Sequence, residues 1–143
     1  MRYITKREAP LESRALESSR PQPTECSFFV QFANDDCVGI GENLVVDFRN
    51  CEPEFGDWVG IYDRNADPND LPPPFLWVWA CGTQSCRGSP KSNTVIIHEG
   101  AIDDQAGRWP LPKGDYFAYL VRNSGTPYQA FAASEKLKIK DKC

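Results

Sequence analysis

One histidine, His98, occurs in 143 residues, and that scarcity removes most histidine-based chemistry at the outset. No acid or nucleophile stands at motif spacing from it, and Ser89, Ser92 and Ser134 do not lie in a nucleophile elbow, so no Ser-His-Asp arrangement is legible. Glycine-rich phosphate loops and metalloprotease motifs are missing as well. So are long hydrophobic runs: none is long enough to cross a bilayer, and no signal-peptide core follows Met1. Membrane insertion is therefore not expected, and an exported protein would have its signal outside this stretch or already removed. Positive charge is also short, with 16 Lys and Arg against 20 Asp and Glu for a net charge of −4. That leaves no broad field to attract nucleic acid or anionic lipid, so nucleic acid is not an expected partner.

What is present falls into two regions. Residues 1–25 carry no aromatic side chain except Tyr3, hold five basic and four acidic residues, and end in Arg20-Pro21-Gln22-Pro23. This reads as a polar tail or linker, with a short helix expected around residues 11–17. A segment with so little to bury becomes ordered when something else holds it, which points to a partner subunit. Residues 26–143 hold the apolar runs and the acidic balance, and suffice for one sandwich core but not two.

Six cysteines, an even set, spread through this second region, which suits an oxidised, secreted or lumenal protein. Zinc is the competing reading, but it needs ligands clustered in pairs, and the sole close pair is Cys81 and Cys86. A disulfide is expected between those two. The other four cysteines allow three pairings, of which Cys37 with Cys51 and Cys26 with Cys143 are favoured because each would tie neighbouring strand ends.

From Cys26 onward, short apolar runs alternate with glycine, proline, asparagine and aspartate. Strands are expected over residues 27–33, 44–48, 58–62, 75–80, 94–98, 116–122 and 130–139, the last broken near Ser134. Pro68, Pro72, Pro73 and Pro74 forbid regular structure in the long connection before Phe75. The run Leu111-Pro112-Lys113-Gly114-Asp115-Tyr116 delivers a tyrosine into the start of a strand, which is how a tyrosine corner forms. The fold class that follows is all-β: an immunoglobulin- or fibronectin-III-like antiparallel β-sandwich of about seven strands with Greek-key connections.

Read in order, Gly56-Asp57-Trp58-Val59-Gly60-Ile61-Tyr62, Leu76-Trp77-Val78-Trp79 and Pro112-Lys113-Gly114-Asp115-Tyr116 resemble the SKICH family of immunoglobulin-like sandwiches, over about residues 30–139. A similar Asp-Trp-Ile-Gly strand occurs in the non-catalytic sandwich domain of plant-type purple acid phosphatases. The chain departs from SKICH domains in its cysteine frame, since those proteins are cytosolic. The resemblance implies a docking or accessory module rather than an enzyme.

Individual residues carry sharper and blander readings. Asp57 at the start of its strand is expected to accept backbone N–H groups while Trp58 enters the core. Asp63, Asn65, Asp67, Asn69 and Asp70 alternate oxygen ligands as calcium loops do, yet Pro68 stands where such a turn needs glycine and no closing glutamate follows. A looser calcium site, with Asp103 and Asp104 as further ligands, is the alternative to a solvated turn-rich connection. Phe75, Trp77 and Trp79 share one strand face, and Leu76, Val78 and Ala80 the other. The aromatic face reads as core, as subunit interface, or as a platform for sugar rings with Trp109 or Tyr128 added. In the run from Lys136 to Lys140, charged and apolar residues alternate as in a half-exposed strand, with lysines that guard a sheet edge. The leading expectation is a non-catalytic secreted structural or interaction subunit that self-associates or joins a complex through its tail and a sheet edge. A carbohydrate-binding accessory module, assisted by calcium or not, is the alternative; a phosphatase accessory domain lacking its catalytic part is a third.

Overall fold

The computed structural model describes residues 26–35, 37–122 and 125–143. Among them nine strands form: β1 (Phe28–Phe32), β2 (Cys37–Gly39), β3 (Leu44–Asn50), β4 (Trp58–Asp63), β5 (Leu76–Trp79), β6 (Ser92–Ile97), β7 (Gly114–Val121), β8 (Ala130–Ala133) and β9 (Leu137–Lys140). They make two sheets, one ordered β1-β3-β6 and the other β2-β9-β7-β4-β5, with β8 also paired to β7. The protein is thus all-β, as its alternating pattern predicts. Leu44, Val46 and Phe48 of β3 and Leu137 and Ile139 of β9 point inward, and their neighbours point out. β4 is buried along almost its whole length because its pairing with β5 and β7 leaves it central, with apolar layers on both faces.

The main core lies between the sheets. Val30, Val46, Phe48, Val95 and Ile97 of the smaller sheet meet Val59, Ile61, Leu76, Val78, Leu120 and Ile139 of the larger one. The Tyr116 hydroxyl donates to the Pro112 carbonyl at 2.8 Å, closing the tyrosine corner at the entry to β7. A second apolar layer covers the outer face of the larger sheet, built from Trp58, Tyr62, Leu71, Tyr119 and Val121.

Several expectations need correction. The last expected strand breaks at Ser134 into β8 and β9, as its pattern predicts, whereas the short Cys37-Val38-Gly39 forms an unexpected β2, which brings the count among the described residues to nine. Ser134 is the joint, its hydroxyl accepting from the Ala118 N–H at 2.9 Å. β2 runs parallel to β9, with Val38 opposite Ile139, so the lysine-bearing strand is flanked by β2 and β7 and is not an edge. The disulfides are Cys26–Cys51 and Cys37–Cys143, not Cys37–Cys51 and Cys26–Cys143; Cys81–Cys86 forms as expected. β1 and β3 pair with Phe28 opposite Asn50, which places Cys26 and Cys51 just beyond the same end of that ladder. His98 lies past the end of β6, where its Nδ1 accepts from the Gly100 N–H and caps the turn at Glu99–Ala101. Trp58 is buried as expected, within the apolar cluster on the outer face of the larger sheet. The tail and its expected helix at residues 11–17 lie outside the described residues.

Candidate functional site

The outer layer is roofed in part by the proline-rich connection between β4 and β5. Leu71, fully buried, exchanges both backbone hydrogen bonds with Tyr128 at 2.8 and 2.9 Å, and the Ala130 N–H donates to the Pro68 carbonyl at 2.8 Å. The Tyr62 hydroxyl donates to the Pro72 carbonyl at 2.7 Å. Burial pushes the Tyr62 phenol far above its ordinary range, and the negative charges of neighbouring groups, Asp103 among them, add to the rise. The strap is therefore clipped down at three points, with an apolar side chain driven under it.

Where the strap ends, an open groove of about 130 Å³ remains, lined by Trp58, Pro74, Trp77, Trp79, Asp103 and Tyr128. Strand alternation turns Trp77 and Trp79 outward while Leu76 and Val78 fill the core. The two indoles meet edge to face, 4.9 Å between centroids and 77° between planes, so they form a corner rather than a flat platform. Trp58 packs edge-on against Tyr128 at 5.0 Å and Trp77 at 6.3 Å. That arrangement needs Gly60, because a Cβ there would stand 2.6 Å from Cζ3 of Trp58. Gln84, inside the loop closed by Cys81–Cys86, braces the wall: its side-chain amide donates to the Trp77 and Ile102 carbonyls at 3.0 and 3.1 Å, and its backbone carbonyl accepts from the Trp79 indole N–H at 3.1 Å. Arg87 from the stretch just beyond lies 5.8 Å over Trp79 and 5.2 Å over Phe55. Among the described residues, the Trp77 indole N–H and the Tyr128 hydroxyl have no protein partner, and both border the groove.

The predicted site residues do not all gather here. Trp77, Trp79 and Tyr128 come together, and Trp58 joins them. Trp109 packs instead against the main core. Asp63 and Asp67 are used as turn caps, their Oδ1 atoms accepting from the N–H groups of Asn65 and Asn69 at 3.0 and 2.9 Å. Among the described residues, no three Asp, Glu, His or Cys side chains converge. Asp103 reaches the groove and also caps its own turn, accepting from the N–H groups of Gln105 and Ala106 at 2.8 and 3.1 Å. The brace at Gln84 and the wall at Pro74 carry no motif in the sequence.

Asp57 has a larger structural part than its position in the sequence conveys. Fully buried, it accepts from the Glu54 N–H at 2.8 Å, the Asn50 amide at 2.7 Å and the Arg122 guanidinium at 2.9 and 3.2 Å. Arg122 also donates to the Glu52 carbonyl at 2.9 Å and lies 4.3 Å over the Phe131 ring. Burial works to lower the Arg122 pKa, but the Asp57 hydrogen bond and the charges of Asp57, Glu54 and Glu52 outweigh it and raise it. This network fixes the approach to β4 against the end of β7.

No protein family matches the chain by sequence, and no curated protein does. Among solved structures it is similar to the purple acid phosphatase PPD1 isolated from yellow lupin (Lupinus luteus) seeds, with a TM-score of 0.53 and 14% identity. The match covers 80% of this chain and 21% of that one, so the chain spans about a fifth of the phosphatase. At that identity the likeness speaks for a shared β-sandwich fold.

Proposed function

We propose that this chain is a non-catalytic accessory module that binds a sugar ring of a glycan in the aromatic groove. The observation that carries the reading is the open corner of Trp77 and Trp79 beside Tyr128 and Asp103, with an indole N–H and a hydroxyl left unpartnered at its rim. Apolar ring faces with a few convergent polar groups are what a sugar requires, since one side of a pyranose is C–H and its edge is hydroxyl. The groove suits one ring rather than an enclosed ligand, whose sites run to about 300–1,000 Å³. Three disulfides fit the secreted or lumenal location this reading needs. The SKICH-like strand motifs favour an accessory role in the same way. Tryptophan fluorescence titrated with a panel of neutral glycans, with and without calcium, tests it. A shift that is lost at least tenfold in Trp77→Ala and weakened in Tyr128→Phe is expected; a flat response to every glycan overturns it.

The second reading is an interaction subunit, favoured by the edges of the three-stranded sheet. Among the described residues β6 pairs only with β3, and Ile96 on it is exposed. The tail joins the domain at Cys26, beside β1, the other edge, and we propose that it adds a strand to the sheet of a second copy. Sedimentation over a wide concentration range, comparing the full chain with one lacking residues 1–25, tests this. Assembly that vanishes with the tail is expected; a monomer in both cases ends it.

A further inference from the structure

At the end of the sandwich where Asp63, Phe75 and Gly114 meet, a cleft of about 550 Å³ gathers cations in a protein whose net charge is −4. Arg64, Arg108, Lys113, Lys138 and Lys140 line it, against Asp63 and Asp115. Asp115 alone faces three cations, with Lys138 Nζ at 3.3 Å, Arg64 Nη1 at 3.4 Å and Lys136 Nζ at 3.9 Å. Burial pushes the Asp115 carboxyl up, but the Lys138 hydrogen bond and the charges of Lys138, Lys136 and Arg64 hold it below the usual range. Lys113 is shared with Asp141 at 3.4 Å. Arg108 lies 5.2 Å over the Phe75 ring, and among the described residues neither it nor Lys140 has a carboxylate within ion-pair distance.

We propose that this cleft is a second binding site, which takes the sulfate or carboxylate groups of an acidic polysaccharide. Lysines on an exposed strand edge are ordinarily there to block unwanted pairing, but β9 is paired on both sides, so that reason is absent. The cations of the cleft outnumber its carboxylates, and self-repulsion makes that excess costly to keep, a cost an anionic ligand removes. The cations of these pairs are about half exposed or more and stand 3.3–3.9 Å from their carboxylates, so their side chains can turn to a ligand. Guanidinium and ammonium groups suit sulfate and carboxylate, and two arginines add fixed-geometry donors. A flexible chain entering a concave cleft meets this local charge alone. A membrane plane or a nucleic-acid duplex would also meet the acidic remainder of the domain, which is not screened within a Debye length of about 10 Å.

The site is independent of the aromatic groove, and the experiment keeps them apart. Binding of the full chain to dextran sulfate and to polygalacturonate is measured at low salt, with neutral dextran, mixed phosphatidylcholine–phosphatidylserine vesicles and duplex DNA alongside. Retention on at least one acidic polysaccharide and none on neutral dextran is expected, with a loss of at least tenfold in Lys138→Glu/Lys140→Glu and a smaller loss in Lys140→Glu, which breaks no pair. Arg49→Glu/Lys91→Glu makes the same change of net charge on the other sheet and is expected to bind as before. An equal loss in that control shows a mere net-charge effect and overturns the proposal. So does the absence of binding to both polysaccharides, or binding to the vesicles or DNA that matches or exceeds it.

Discussion

The two faces of the larger sheet are both apolar, yet one is sealed and the other is half open. On the inner face Val59, Ile61, Leu76, Val78 and Leu120 are at most 3% exposed. They are aliphatic and carry no polar atom, so a second sheet can close over them completely. The outer face carries Trp58, Tyr62, Trp77, Trp79 and Tyr119, and each has an N–H or O–H that must find a partner or meet water. Tyr62 finds Pro72 and Trp79 finds Gln84, both in connections laid over the sheet; among the described residues Trp77 and Tyr128 find none and stay at the opening. Stability is concentrated on the first face, and the proposed recognition lies on the second.

The severest way to break that division is at Asp57, which anchors β4, the strand common to both layers. Asp57→Ala leaves the Arg122 guanidinium and the Asn50 amide without their acceptor, and losing one member of a buried pair costs about 3–5 kcal/mol. Urea unfolding followed by tryptophan fluorescence and by far-UV circular dichroism is expected to show one coincident transition at lower urea. Separate midpoints would mean that the two faces unfold as distinct units. Within each face, Ile61→Ala is expected to cost about 2–5 kcal/mol, and Trp77→Ala about 1–2 kcal/mol because its indole is already half in water. Equal costs would erase the distinction. Gly60→Ala comes next, with about 1–3 kcal/mol expected as its Cβ forces Trp58 aside. The indole it displaces borders the groove, so fluorescence should change before stability fails.

The division was partly legible in the sequence. Period-two alternation placed Trp77 and Trp79 opposite Leu76 and Val78, and the Pro-Lys-Gly-Asp-Tyr run announced the corner at Tyr116. Three residues at Cys37–Gly39 are too short a run to signal a strand, and missing them turned β9 into a false edge. The disulfide pairing failed because it depends on which strands are neighbours in space, and Cys26 and Cys51 become neighbours only once β1 pairs with β3. Trp109 was drawn into the groove by residue type alone, whereas the chain carries it to the main core. The cationic cleft was illegible for a similar reason: Arg64, Arg108 and Lys138 lie far apart in sequence, and net charge averages them away.

The finest test separates the outer face's stability from its openness by pH. Burial raises the phenol pKa values of Tyr62, Tyr119 and Tyr116 above their ordinary value of about 10. The folded protein therefore keeps protons that the unfolded chain releases, so their stabilising contribution is complete below about pH 10 and is lost as pH rises beyond it. Tyr62→Phe removes one such proton and also the hydrogen bond to Pro72, so its two effects have opposite signs. At neutral pH the variant should be less stable by about 1 kcal/mol, since the Pro72 carbonyl loses its donor under the strap. Above about pH 10 its stability should fall less steeply than that of the parent, by one proton in the slope. Unfolding curves at a series of alkaline pH values, with tyrosinate absorbance recorded alongside, measure both. Parallel slopes would show that Tyr62 ionises in the folded state, and the strap would then be a loose cover rather than a seal over that part of the sheet.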